Sequence, residues 1–241
     1  MVDSGAYSAF NSGVNIKIKD YLSFISDISV QDTDIIVNLD VIGNQEKSKL
    51  NWTYLSKKLD VLPVIHLPNL EDLYPSEKYI GLGGMVPSFK INQKGSVHDV
   101  ATWVASLTQN KKYHAFGIGS PYHQIAFNEF LQSADWIGWR RNAAVCSCYT
   151  PEGSVYIHEA RKKKKRGRSM TTDLFQRYSP PFIDSYEKLC KKGTEGWINR
   201  ALWNVWAFLH AEDYEKEINS SRYVISLKKR LHENTIFPNF G

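Results

Sequence analysis

Cysteine is scarce in this sequence, with three among 241 residues, an odd number. A disulfide scaffold needs pairs, so none is expected, and free thiols suit a reducing cytoplasm. Long apolar runs are missing as well. No stretch approaches the roughly 20 residues that a membrane span needs. The opening Met-Val-Asp-Ser-Gly lacks the basic-then-apolar layout of a secretory signal. A cytoplasmic protein with no membrane partner is expected. Internal repeats are absent, and so are linkers rich in Ser, Pro and Gly, which leaves no clean second domain. No glycine cluster has phosphate-loop spacing. No His-x-His pair marks an early strand, which speaks against a metal-dependent barrel hydrolase.

What is present fits a globule with a full core. The apolar fraction is 42% and the mean hydropathy is -0.38. The length suits one domain over residues 1–241, with 155–241 as a basic loop and a C-terminal helical extension. The net charge of +5 is unevenly placed: Arg161, Lys162, Lys163, Lys164, Lys165, Arg166 and Arg168 form one run among 30 basic residues. Such a run is either a solvated loop or a contact to a nucleic-acid backbone, where clustered cations release counterions. Thirteen tyrosines and seven tryptophans make the second reading attractive, because aromatic faces stack on bases.

Short apolar runs recur near positions 2, 36, 63, 80, 115 and 134. Helical patterns separate most of them: Ile16 to Ile28, Leu50 to Leu59, Val97 to Leu107 and a segment from Ile125 to Leu131. Polar or glycine residues end each run: Asp3, Asp40, His66, Gly83-Gly84, Gly117-Gly119 and Asp135. Pro63 is expected among the first residues of its strand. This alternation predicts an α/β fold, a TIM-type (β/α) barrel with its site at the C-terminal rim of the strands. Six strands are visible where a closed barrel wants eight. Downstream, Val155 to His158 reads as a strand and Asp184 to Lys191 as a helix that stops at Gly193. Trp197, Ile198, Ala201, Leu202, Val205, Trp206 and Leu209 form an amphipathic packing helix.

Asp3 and Ser4, read from composition alone, suit a turn or helix cap as well as chemistry. Asp135 stands at a strand end, followed by Arg140 and Arg141. A carboxylate so placed can be nucleophile or base, and the arginines can hold phosphate.

In order along the chain these motifs resemble the tRNA-guanine transglycosylases and their DNA-acting relatives. Asp3-Ser4-Gly5-Ala6-Tyr7 resembles the family's Asp-Ser-Gly-Gly/Ala-aromatic motif, and Asp40 stands where the family has a strand-end aspartate. Pro63 to Leu67 resembles its Gly-Ile-Val-Gln-Gly strand, with His66 in place of glutamine. Gly83-Gly84-Met85-Val86 resembles Gly-Gly-Leu-Ala. Gly117 to Pro121 resembles Gly-Val-Gly-Thr-Pro, and Ala134-Asp135-Trp136 the Phe-Asp-Cys of the nucleophile. The helical tail from Asn199 to Tyr214 is similar too. The likeness covers roughly residues 1 to 220, lacks the two strands the family places before Asp-Ser-Gly, and rests on order and spacing rather than on any one motif.

The resemblance implies that Asp135 is the nucleophile and Asp3 the general acid/base. It implies a base pocket of Asp40, His66, Gly83, Gly84 and Met85. Tyr7 is either a stacking face or a core aromatic. Arg140, Arg141 and the basic residues from Arg161 to Arg168 would take phosphates. The segment matched to the family's zinc ligands, Asp173 to Asp184, has no cysteine, so no cofactor and no structural zinc is expected. A rebuilt zinc site from Cys146, Cys148, His158 and Cys190 is the weaker reading beside unligated thiols. The missing zinc module and the length point to DNA, with a free 7-deazaguanine base as second substrate, as in enzymes of phages and bacteria (a phage enzyme would work in the host cytoplasm). A tRNA enzyme is the alternative, and an inactive nucleic-acid-binding barrel another. A homodimer or a partner protein is one way to complete the barrel.

Overall fold

Short aliphatic runs make the strands at 36–37, 61–62, 64–66 and 79–83, whereas those at 112–115 and 133–134 are made of polar, aromatic and small residues. The computed structural model describes residues 1–66, 73–83, 96–107, 110–160 and 167–235. Two compact units are formed. The first takes in Met1–Phe116, Phe130–Ala134 and the end of the chain from Arg230; the second takes in Gly117–Glu129 and Asp135–Lys229.

The first unit is α/β with parallel strands: β1 (Ile36–Val37), β2 (Val61–Leu62), β3 (Val64–His66), β4 (Tyr79–Gly83), β5 (Lys112–Ala115) and β6 (Ser133–Ala134). Val2 bridges to Ile36 in parallel. Ile36 faces Val61, His66 faces Gly83, Ile80 faces Tyr113, and Ala115 faces Ala134. Strands adjacent in the chain are thus adjacent in space, the order that helical crossovers produce. Five of the six expected strand positions hold strands; at the sixth, Val2 makes only an isolated bridge. Pro63 does not begin its strand; it divides it. β2 pairs with β1 and β3 with β4, while the Pro63 carbonyl accepts the Gly81 N–H at 2.8 Å. The residue without an N–H thus falls where the strand changes partner.

Between strands lie α1 (Ala6–Ser12), α2 (Ile18–Asp27), α3 (Gln45–Leu55) and α4 (Ser96–Ala105). The third helix starts earlier and stops earlier than its apolar spacing suggests. Asn44 decides the start, because its side chain accepts the Lys47 N–H at 2.9 Å. Tyr21, Ile25, Ile36, Leu39, Leu55 and Val61 pack under these helices as one apolar cluster. Each such burial contributes about 1.5–3 kcal/mol.

The second unit holds α5 (Pro121–Phe127), α6 (Gly138–Ala144), β7 (Ser147–Thr150), β8 (Gly153–Tyr156), α7 (Thr172–Tyr178), α8 (Tyr186–Cys190), α9 (Gly193–Leu209), α10 (Glu215–Ser220) and the part of α11 (Arg222–Thr235) up to Lys229. Ser120 caps α5, with Pro121 in its first turn, and the helix ends at Phe127, short of the expected Leu131. β7 and β8 form an antiparallel hairpin, and His158 lies past it in a 3-10 turn. The expected strand at 155–158 is therefore shifted and has a partner the pattern did not show. Gly193, at φ 71, opens α9 instead of closing α8.

The buried face of α9 is also turned from the expected one. Gly196, Arg200, Ala201, Trp203 and Asn204 are buried, while Ile198, Leu202 and Leu209 are exposed. Asn204 accepts the Tyr149 N–H and donates to the Ser147 and Trp139 carbonyls. Arg200 donates to the carbonyls of Ala143, Leu189 and Lys191, the ends of α6 and α8. Helix ends carry unsatisfied carbonyls, and a buried guanidinium is a rigid fork for them. Polar satisfaction, rather than hydropathy, orients this helix.

Candidate active site

Asp40 leaves the end of β1 through Asn38 and Leu39, both buried. Its carboxylate is held from two sides. His66 Nε2 lies 2.7 Å from Oδ2, and Ser4 Oγ donates to Oδ1 at 3.1 Å. The same Ser4 oxygen accepts the Ala6 N–H at 3.3 Å. Ser4 thus ties the start of α1 to the site, and Gly5, at φ 72, is the left-handed N-cap of the helix. Both side chains of the Asp40–His66 pair are about nine-tenths buried. With a carboxylate as acceptor, Nε2 is the donor. His66 Nδ1 is buried and has no hydrogen-bond partner among the described residues.

Gln45 was not picked out by its pattern, yet it frames the pair. Its Oε1 accepts the His66 N–H at 2.8 Å and its Nε2 donates to the Val64 carbonyl at 3.1 Å. The amide closes the end of β3 as another strand would. Two buried tyrosines report the local field. Burial raises the Tyr21 phenol, and the negative charges of Asp3 and Asp40 raise it further. Tyr74 is pushed up to about 12, first by burial and then by Asp40, against a hydrogen bond with Gln45 that lowers it. Asp3 and Asp40 therefore act on one side chain from the same end of the strands. Asp3 is exposed, and Tyr7 is half-buried in the first turn of α1.

Gly83 faces His66 across β3 and β4. Gly84 and Met85 lie outside the described residues. A cavity of about 220 Å³ opens beside Asp40, lined by Ala6, Phe10, Val14, Leu39 and Ile42. A larger, more open concavity of about 430 Å³ lies at Trp52, Lys57, Asp60 and Glu77. It sits at the N-terminal ends of β2 and β4, where parallel strands rarely carry chemistry. The smaller one, at the C-terminal ends, is the better candidate.

In the second unit Asp135 is exposed. Its Oδ1 accepts the Gly117 N–H at 2.6 Å. Gly117 has φ 77, a conformation that leaves its N–H turned to the carboxylate. Trp136 follows and is clamped. A side chain on Gly119 or Gly138 would fall on it, and its ring stacks on Phe208 at 5.9 Å and tilts over Tyr149 at 5.2 Å.

Arg140 and Arg141 are exposed on α6. Arg161, Lys162, Lys163, Lys164, Lys165 and Arg166 lie outside the described residues. Arg168 is not an open cation: it is bound to the Glu152 carboxylate and carbonyl. Among the described residues no three His, Cys, Asp or Glu side chains converge on a metal position. Cys146 Sγ lies 3.5 Å from the Ala160 carbonyl, and burial pushes the Cys148 thiol well above its usual range. No helix among the described residues is long and apolar enough to cross a membrane.

Compared with protein-family models and with curated proteins, the chain matches none. Its function therefore rests on residues, geometry and chemistry.

Proposed function

We propose that the chain is a transglycosylase that exchanges guanine in DNA for a 7-deazaguanine base through a covalent aspartyl-glycosyl intermediate. One observation carries this reading. Asp40, His66 and Gly83 follow or end parallel strands and Asp3 follows the Val2 bridge beside them, with Asp40, joined to His66, lining a base-sized cavity. The parallel strands are read as an arc of a (β/α) barrel, with these residues on its catalytic rim.

In this reading the Asp135 carboxylate attacks C1′ of the target nucleotide. The C1′–N9 bond breaks, its electron pair leaves with guanine, and Asp3 supplies the proton. The sugar stays bound to Asp135, so the polymer is not lost. Asp3 then takes the proton from the incoming base, whose nitrogen attacks C1′ and returns the electron pair to Asp135. The two-step displacement retains configuration, as in glycosidases that use paired carboxylates. The Gly117 N–H positions the nucleophile. Asp40, braced by Ser4 and His66, would accept from the donor edge of the base. DNA is favoured over tRNA because Asp173 to Asp184, the segment matched to the tRNA enzymes' zinc cysteines, contains no cysteine, and the place expected for the histidine ligand holds Leu202 and Trp203.

The test is exchange of labelled guanine, with double-stranded DNA and tRNA offered side by side, together with Asp135→Asn. Label enters DNA, and Asp135→Asn forms no covalent adduct. Incorporation into tRNA alone would overturn the polymer assignment. An undiminished adduct in the variant would overturn the nucleophile.

A further inference from the structure

Ile137 is 72% exposed, more than any other large apolar side chain among the described residues. A β-branched side chain held in water in this way has few rotamers and nothing to pack against. Its neighbours explain how it is held there. Along Asp135, Trp136 and Ile137 the exposure alternates: exposed, half-buried, exposed. Asp135 and Ile137 are thus both open to solvent, while Trp136 between them is partly covered. Trp136 is pinned by the bare backbones of Gly119 and Gly138 and by Phe208 and Tyr149. Ile137 then opens α6, and the Arg140 N–H reaches its carbonyl at 3.1 Å. Arg140 and Arg141 follow in the first turn of that helix. Both are exposed.

The arrangement is an exposed carboxylate, an exposed apolar tip and two exposed guanidinium groups within one short stretch, Asp135 to Arg141. We propose that Ile137 is a wedge that enters the base stack of duplex DNA as the target nucleotide swings out towards Asp135, with Arg140 and Arg141 on the flanking phosphates. This rests on the transglycosylase reading and narrows its substrate to a duplex. A base inside a duplex must leave its stack to be attacked at C1′, and unstacking opens an apolar gap. An aliphatic side chain inserted into that gap replaces the missing stacking, and arginines hold the bent backbone. A single strand has no such gap, so it needs no wedge.

The test compares wild type, Ile137→Ala and Ile137→Leu on a duplex and on the single strand of the same sequence. Covalent adduct formation is timed, and 2-aminopurine beside the target guanine reports flipping. Ile137→Ala should slow the duplex reaction by about tenfold or more, leave the single-strand reaction unchanged, and lose the fluorescence rise; Ile137→Leu should restore both. Equal rates for Ile137→Ala and wild type on the duplex, or equal losses on both substrates, overturn the wedge. If wild type forms no adduct with either substrate, the transglycosylase reading falls, and the fluorescence alone then decides. A rise present in wild type and absent in Ile137→Ala supports the wedge, and no rise overturns it.

Discussion

Gly83 faces His66 so closely that a methyl group on it would come within 2.8 Å of His66 Cδ2 and of Val64 Cγ1. Neither neighbour can give way easily, since the imidazole is tied to Asp40 and Val64 is in the core. Gly83→Ala should therefore displace the His66 ring. The expected cost is about 1–3 kcal/mol of stability, with a matching loss of base exchange. Urea unfolding together with the exchange assay checks it, and a variant as stable and active as wild type would show that the ring tolerates movement.

Asp40 is held by two partners in a buried setting, so removing it strands both. Asp40→Ala should cost about 3 kcal/mol, the usual result of leaving one member of a buried pair behind. A double-mutant cycle with His66→Ala should return a coupling of roughly 0.5–3 kcal/mol. Additive losses would mean that the two side chains stabilise the fold independently.

Gly196 in α9 separates two opposing effects. Alanine is the better helix former by about 1 kcal/mol. Yet a Cβ here would fall on the Lys191 carbonyl and crowd the Arg200 guanidinium, an overpacking of about 1–3 kcal/mol. Sterics should win, and the melting temperature of Gly196→Ala should fall. A rise would show that α8 can shift away without loss.

His123 Nε2 lies 2.6 Å from the Tyr223 hydroxyl. Burial lowers the imidazole from 6.5 to about 4. Because the folded value lies below the unfolded one, the unfolded chain binds the proton first as pH falls. Stability should be full above about 6.5, decline between about 6.5 and 4, and level off below. The decline in melting temperature over that window should shrink in His123→Phe. An identical pH profile in the variant would assign the dependence to other groups.

Arg140 and Arg141 are proposed to touch phosphates. Changing both to glutamine should weaken duplex binding and lower the salt slope by about 0.9 for each phosphate no longer neutralised. A slope equal to that of wild type would remove α6 from the interface and leave the run at 161–168 to carry the charge.

The strand order was legible because it is written locally. Each run near 2, 36, 63, 80, 115 and 134 is apolar and ends in a polar or glycine residue, and alternation with helices implies parallel neighbours. Asp3, Asp40, His66 and Asp135 could be named for the same reason. Other features were not legible because they depend on contacts between distant segments. β8 needed a partner, β7, that its own pattern did not announce. Gln45 had no periodic signal, and its value lies in two hydrogen bonds across the end of β3.

Two residues mark the boundary. That Asp40 ends a buried strand follows from its own stretch of chain, since Asp34 to Asp40 is an apolar run closed by an acid and a Gly-Asn turn. That His66 and Ser4 bind Asp40 follows only from the folded arrangement, because hydrogen-bond partners are chosen by which strand ends meet. In the same way the amphipathic character of α9 is written in its local period. Which side of α9 is buried is a matter of its surroundings, because Arg200 and Asn204 find carbonyl and amide partners that no hydropathy pattern counts.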